Sequence, residues 1–117
     1  MATRTQGLYI NLPVADLART RAFYEGLGFE IDPRFSDDKV IAVVLGAQQV
    51  AMLLRREFFQ TFTDRPVNDP REGVQCLVAI QFGSRAEVDA IVEAARAHGG
   101  AEGHAAEDYG FMYQRAF

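Results

Sequence analysis

LYINLPVADLARTRAFYEGLGFEI, residues 8–31, predicts a strand, a capped helix and a second strand. Pro13 lies near the end of the first strand, Leu8–Val14, and Asp16 can accept hydrogen bonds from the free N–H groups that begin a helix over residues 16–27. A strand–helix–strand unit needs a sheet against which to bury its apolar face, so the rest of the chain should supply one. Residues at three- and four-residue spacing mark that face of the helix: Leu17, Thr20, Phe23, Tyr24 and Leu27.

Residues 1–54 as a whole predict one β-α-β-β-β module. Leu8–Val14 is apolar on both alternating faces apart from Asn11, so this strand is expected to be covered on both sides. Further strands are predicted at Val40–Leu45, which is rich in β-branched residues, and at Val50–Leu54 after a turn.

Residues 55–73 form a connecting segment with two alternative interpretations. Phe58, Phe59 and Phe62 crowd one short helix-like turn, and a polar loop with two prolines follows. The aromatic side chains either fill the edge of the core or belong to a lid over a ligand cleft, as long loops with aromatic residues often do.

Residues 74–117 predict a second, shorter copy of the same order. Val74–Phe82 is strand-like, Ser84 followed by Glu87 is typical of a capping box, and the helix that they begin ends near Gly99. A weak extended segment and a last strand, Phe111–Phe117, follow, so the second module lacks one strand. This internal repeat predicts an α+β protein of two β-α-β-β-β modules that share one domain.

Composition excludes several classes of function. The 117 residues carry a net charge of −4, and the longest basic cluster is the pair Arg55–Arg56, so we expect no nucleic-acid partner. The apolar runs are too short to span a bilayer, so no membrane partner is expected, and the first seven residues do not resemble a secretory signal. A single cysteine, Cys76, cannot form an internal disulfide, which favours the reducing cytoplasm.

Two stretches resemble the vicinal oxygen chelate superfamily, which includes glyoxalase I, bleomycin- and fosfomycin-resistance proteins and extradiol dioxygenases. LPVADLARTRAFYEGLGFEI is similar to its first-module signature, and EDYGFMYQRAF is similar to the lead-in to its final hairpin. The most similar members are small proteins labelled as predicted lactoylglutathione lyases. The resemblance implies the glyoxalase/bleomycin-resistance/dihydroxybiphenyl dioxygenase fold, with a mixed sheet lining a cleft, and a homodimer.

The resemblance also implies a last turn and strand beyond Phe117, where this chain stops. A second module without its last strand is expected to leave an unpaired sheet edge, which invites pairing with another chain.

The resemblance further implies a divalent metal held by His, Gln or Glu, and the matching positions can be checked. They are Tyr9, Leu53 and Leu77, and leucine cannot ligate a cation. A slip of one or two residues offers Asn11, Gln75 or Cys76, which complete no convincing ligand set. The sequence therefore predicts no metal and no other cofactor. The alternative is a metal-dependent lyase or transferase of the glyoxalase I or fosfomycin-resistance type.

Strand periodicity predicts the residues that line an apolar cleft for a small organic molecule. Arg115 near Asn11 would suit an anionic or carbonyl group, although a solvent-facing arginine on an edge strand is an alternative interpretation. The ligand-binding candidates are Tyr9, Asn11, Met52, Phe59, Leu77, Tyr113 and Arg115, with Leu53 as the alternative to Met52.

Overall fold

The computed structural model describes residues 2–117, which divide into two compact units, one ending at Gly73 and the other beginning at Val74. The first unit holds β1 (Leu8–Val14), α1 (Leu17–Gly26), β2 (Glu30–Ile31), a 3-10 helix (Pro33–Phe35), β3 (Val40–Gly46), β4 (Gln49–Arg55) and α2 (Arg56–Gln60). The second holds α3 (Arg85–Ala97), β5 (Glu107–Asp108) and β6 (Tyr113–Gln114). The predicted α+β class is confirmed.

The four strands of the first unit form one mixed sheet in the order β1-β4-β3-β2. β1 pairs with β4 in parallel, and the other two pairings are antiparallel. The connection from β1 to β4 therefore passes through α1 and the two intervening strands. The predicted β-α-β-β-β order of residues 1–54 is confirmed, with strand ends within two residues of the expected ones.

The core of this unit lies between α1 and one face of the sheet. Ile41, Val43, Ala51 and Leu53 are buried there, and each large aliphatic side chain so buried contributes about 1.5–3 kcal/mol relative to exposure. Tyr24 of α1 packs against this cluster, and burial raises the pKa of its phenol.

Local signals set the ends of α1. The Oδ1 atom of Asp16 accepts a hydrogen bond from the backbone N–H of Arg19 at 3.0 Å, as the sequence predicts. Beyond the helix, Gly28 has a φ of 93°, a left-handed conformation that glycine adopts without a Cβ clash. The chain reverses there, and Phe29 donates its N–H to the carbonyl of Tyr24.

The second unit has a much smaller apolar core. Ser84 caps α3 by accepting the N–H of Glu87 at 3.2 Å, as predicted, and only Val92 and Ala95 are buried among the described residues of this unit. β5 and β6 form a short hairpin, in which the N–H of Tyr109 donates to the carbonyl of Met112.

Three strand predictions need correction. β1 is covered on one face only: Leu12 and Val14 pack against the core, whereas Tyr9 and Asn11 on the other face are exposed. Residues 74–82 form no strand in the described chain, because a strand needs a partner backbone and their unit offers none. The last predicted strand, Phe111–Phe117, is reduced to the two residues of β6. It extends no further because its partner strand, β5, is also only two residues long.

Replacing Asp16 with alanine removes the cap of α1 and is expected to lower the free energy of unfolding by about 1 kcal/mol. Asp16→Asn keeps a side-chain oxygen that can accept the same bond and should retain most of that stability. Urea unfolding followed by circular dichroism measures both. Equal losses for the two variants would mean that the carboxylate charge, rather than the cap, stabilises the helix.

Candidate functional site

Side chains of β1 and β4 form an open face on the side of the sheet away from the core. The parallel register sets Tyr9 beside Val50 and Asn11 beside Met52, and paired residues lie on the same side of a sheet. Their neighbours Ala51 and Leu53 are buried in the core on the other side. We define the open face by these four residues: Tyr9, Asn11, Val50 and Met52.

The open face is uncharged and partly accessible. Tyr9 and Asn11 are exposed, whereas Val50 and Met52 are half-buried. The carboxamide of Asn11 lies 3.4 Å from the carbonyl oxygen of Tyr9, to which it donates a long hydrogen bond. A flat apolar surface with a phenol and one carboxamide can stack against a planar organic molecule and hydrogen-bond to it.

Phe59 belongs to the same unit, in α2, which follows β4 directly and contacts both β1 and β4. Its side chain is half-buried. The neighbouring Phe58 packs edge-on against Phe62 with ring centroids 5.1 Å apart, and the ammonium of Lys39 lies 5.8 Å from the Phe58 ring. Phe58 and Phe59 lie in α2 and Phe62 lies in the turn just after it, so the predicted helix-like turn is confirmed, and its role as a lid stays a prediction.

In the second unit, Arg115 lies at the centre of a charged cluster. Its Nε donates to Glu102 at 2.7 Å, and its two terminal nitrogens donate to Asp89 at 3.1 Å and to Glu93 at 3.2 Å. The arginine side chain is only 12% exposed, so the alternative interpretation of a solvent-facing arginine is wrong. All three nitrogens of the guanidinium already donate to the protein's own carboxylates, with which an anionic ligand would have to compete.

Tyr113 joins this cluster. Its hydroxyl donates to Asp89 at 2.6 Å, and the guanidinium of Arg85 lies 3.9 Å from its ring centroid. Hydrogen bonds from Tyr113 and Arg115 lower the pKa of Asp89, and the hydrogen bond from Arg115 lowers the pKa of Glu102. The bond to Asp89 raises the pKa of the Tyr113 phenol, because it favours the protonated form.

The structure brings the sequence-predicted residues together in two groups. Tyr9, Asn11 and Met52 meet on the open face, and Tyr113 and Arg115 meet around Asp89. The sequence reasoning missed the three carboxylates of the cluster. The spacing of Asp89 and Glu93, four residues apart on α3, is a signal that could have found two of them.

Comparison with known proteins identifies the family. Residues 8–116 match the Glyoxalase/Bleomycin resistance protein/Dioxygenase superfamily. The chain belongs to this superfamily. No curated protein matches it.

Two solved structures of similar fold accompany this match. A hypothetical protein from S. aureus is 25% identical, with a TM-score of 0.78 over 97% of this chain and 84% of that one. A glyoxalase/bleomycin resistance protein/dioxygenase family enzyme from Burkholderia phytofirmans is 18% identical, with a TM-score of 0.70 over 92% and 84% of the two chains. The predicted family resemblance is confirmed.

No helix among the described residues is long and apolar enough to cross a membrane.

The metal positions that the superfamily resemblance implies do not fit a divalent cation here. Leu53 is buried in the core, on the opposite side of β4 from the open face, where Met52 lies instead. Tyr9 and Met52 offer a phenol and a thioether, which are poor ligands for Ni²⁺, Zn²⁺ or Mn²⁺. Leu77, which is 87% exposed, has no donor atom in its side chain. Among the described residues, no three His, Cys, Asp or Glu side chains are grouped to hold a metal.

The charged cluster predicts a specific response to acid. Asp89 and Glu102 have lowered pKa values in the folded chain. Their contribution to stability is therefore full above the unfolded values, about 3.9 for Asp and 4.3 for Glu, and is lost as the pH falls through the lower folded values. Arg115→Met should lower the melting temperature at pH 7. The melting temperature of this variant should then fall less on acidification than that of the unsubstituted chain.

Thermal unfolding between pH 7 and about pH 3 measures this response. Arg21→Met is the matched control, because Arg21 pairs with Glu25 at 3.0 Å on the exposed surface of α1 in the first unit, and the melting temperature of this variant should depend on pH as that of the unsubstituted chain does. Parallel pH profiles for Arg115→Met and the unsubstituted chain would contradict the assignment.

Proposed function

We propose that this chain binds a small organic molecule against the open face, without a bound metal. The observation that supports this most is the 62% exposure of Tyr9, an aromatic side chain on an uncharged face beside Asn11 and Met52. Exposed apolar side chains that share one face beside a polar group mark surfaces on which ligands or partners bind. Membership of a superfamily that includes bleomycin-resistance proteins supports the same proposal.

The chemistry of the open face suggests the kind of ligand. Stacking on the Tyr9 ring favours a planar, largely apolar molecule, and such ring contacts contribute about 0.5–1.5 kcal/mol beyond the area that they bury. Met52 adds a flexible, polarisable thioether, which adapts to irregular shapes. Asn11 can donate to a carbonyl and accept from an N–H group, so one such group on the ligand would fix its orientation.

We further propose that the protein acts as a homodimer in the cytoplasm. Cys76 is a free, exposed thiol, which a reducing compartment keeps from oxidising. The uncharged edge strand β1 supports the homodimer, since sheet edges of this kind invite pairing.

Tyr9→Ala tests the ligand site. A library of planar aromatic compounds would be screened against the unsubstituted protein by ligand-observed NMR, and the dissociation constants of the compounds that bind would be measured for each variant. We expect Tyr9→Ala to weaken binding by about tenfold, or about 1.4 kcal/mol, and to leave the melting temperature almost unchanged because the ring is exposed.

Leu8→Ala is the matched control for this experiment. Leu8 is the adjacent residue, is similarly exposed (57% against 62% for Tyr9), and lies on the other face of β1, so its loss should leave the dissociation constants unchanged. If Tyr9→Ala and Leu8→Ala behave alike, the open face is not the binding site.

A metal titration tests the second part of the proposal. Protein stripped with a chelator would be melted with Ni²⁺, Mn²⁺, Zn²⁺ or Fe²⁺, and we expect no change in melting temperature. A specific metal at a hundredfold over its dissociation constant would stabilise the fold by about 2.7 kcal/mol, which is easily measured. A rise with one metal alone would contradict the proposal and favour a metal-dependent lyase or transferase.

A further inference from the structure

A groove of about 400 Å³ lies at one end of the sheet in the first unit, between the residues that lead into β1 and the turn that joins β3 to β4. Residues 5–8 form one wall and residues 47–49 form the other, and we call the space between them the polar groove. The backbone N–H of Leu8 donates to the carbonyl of Gln48 at 2.8 Å, which holds the two walls together. The volume is within the range of small-molecule sites in proteins, about 300–1,000 Å³.

The side chains of the polar groove are neutral, and most of them can form hydrogen bonds. None of the lining residues is charged, and four carry a carboxamide or a hydroxyl group: Thr5, Gln6, Gln48 and Gln49. Among residues 2–117, no protein group forms a hydrogen bond with any of these four side chains, so all of them are available to a ligand. Carboxamides and hydroxyls both donate and accept, which favours a neutral ligand with several groups that do the same.

The position of the Gln49 carboxamide depends on Gly46, the last residue of β3. The two residues are paired where β3 and β4 meet their turn. A Cβ atom at Gly46 would lie 2.8 Å from the Oε1 atom of Gln49, which is closer than such atoms approach. Gly46 is not among the glycines with a positive φ, so what it provides is space for the carboxamide rather than an unusual backbone conformation.

We propose that the polar groove binds a neutral sugar, a mono- or disaccharide. A sugar has several neighbouring hydroxyl groups, each of which donates and accepts hydrogen bonds, so it can pair with several of the four polar side chains at once. A small amide has only one such group, and a sugar phosphate would find no cation among the lining residues. The polar groove shares no residue with the open face, so the inference does not rest on the ligand proposed there.

Titration of the isotope-labelled protein with sugars, followed by NMR, tests the site. The probes are neutral mono- and disaccharides, among them glucose, galactose, maltose and lactose. We expect at least one of them to cause saturable shifts in the backbone amides of residues 5–8 and 47–49 and in the carboxamides of Gln6, Gln48 and Gln49. Phosphate esters of the same sugars and small amides such as acetamide are the comparison compounds, and they should bind more weakly.

Substitutions in the polar groove localise the binding. Gln48→Met/Gln49→Met removes two carboxamides and keeps the length of both side chains, so it should weaken sugar binding by at least about tenfold. Gly46→Ala keeps every polar group but displaces the carboxamide of Gln49, so it should weaken binding by a smaller factor. Asn68→Leu is the matched control, because it removes an exposed carboxamide of the first unit outside the polar groove, and it should leave sugar binding unchanged. Circular dichroism checks that all three variants fold.

The other outcomes would overturn the inference in distinguishable ways. The absence of saturable shifts with every sugar rejects the site, and tighter binding of a phosphate ester or of acetamide rejects a neutral sugar as its ligand. Sugar binding that Gln48→Met/Gln49→Met leaves unchanged rejects the polar groove as the place of binding. The same double variant should leave the dissociation constants of the planar aromatic compounds unchanged, so the proposed ligand site, which Tyr9→Ala tests, stands or fails separately.

Discussion

The parallel pairing of β1 with β4 is the constraint on which the first unit depends. Two parallel neighbours cannot be joined by a hairpin, so the chain must leave the sheet and return, and it does so through α1. The helix then covers one face of the sheet, and the core forms beneath it. On the other face, Tyr9 and Asn11 of β1 are exposed beside the half-buried Val50 and Met52 of β4, and β1 is the edge strand of the sheet. The candidate ligand site and the sheet edge therefore both lie at β1.

Different interactions stabilise each of the two units. A cluster of aliphatic side chains under α1 stabilises the first, whereas the second has two buried apolar residues, Val92 and Ala95, and a cluster of ion pairs around Arg115. Ion pairs depend on pH and on salt, and hydrophobic burial does not to the same degree. The second unit is therefore the part of the chain whose stability should respond first to acid.

Local signals in the sequence predicted most of the first unit and little of the site in the second. The Asp16 and Ser84 caps depend on residues three positions away, so the sequence shows them directly. The alternation of side chains in a strand likewise placed Tyr9 and Asn11 on one face. The choice between Met52 and Leu53 needed the register with β1, which a sequence does not contain. The carboxylates around Arg115 lie 13 to 26 residues away from it. The spacing of Asp89 and Glu93 places these two on one side of α3, but no local pattern links either of them to Arg115.

Tyr9 links the candidate site to the sheet edge of β1, which supports the proposed homodimer. Its side chain lies on the open face, while its backbone N–H points along the sheet toward the free edge. A strand added to that edge would lie about 4.8 Å from β1 and would bring its own side chains to the border of the open face. Residues of a second copy would then contact any ligand stacked on Tyr9. In that arrangement a ligand that contacts both copies binds the dimer more tightly than the monomer, and by linkage it strengthens the dimer by the same factor.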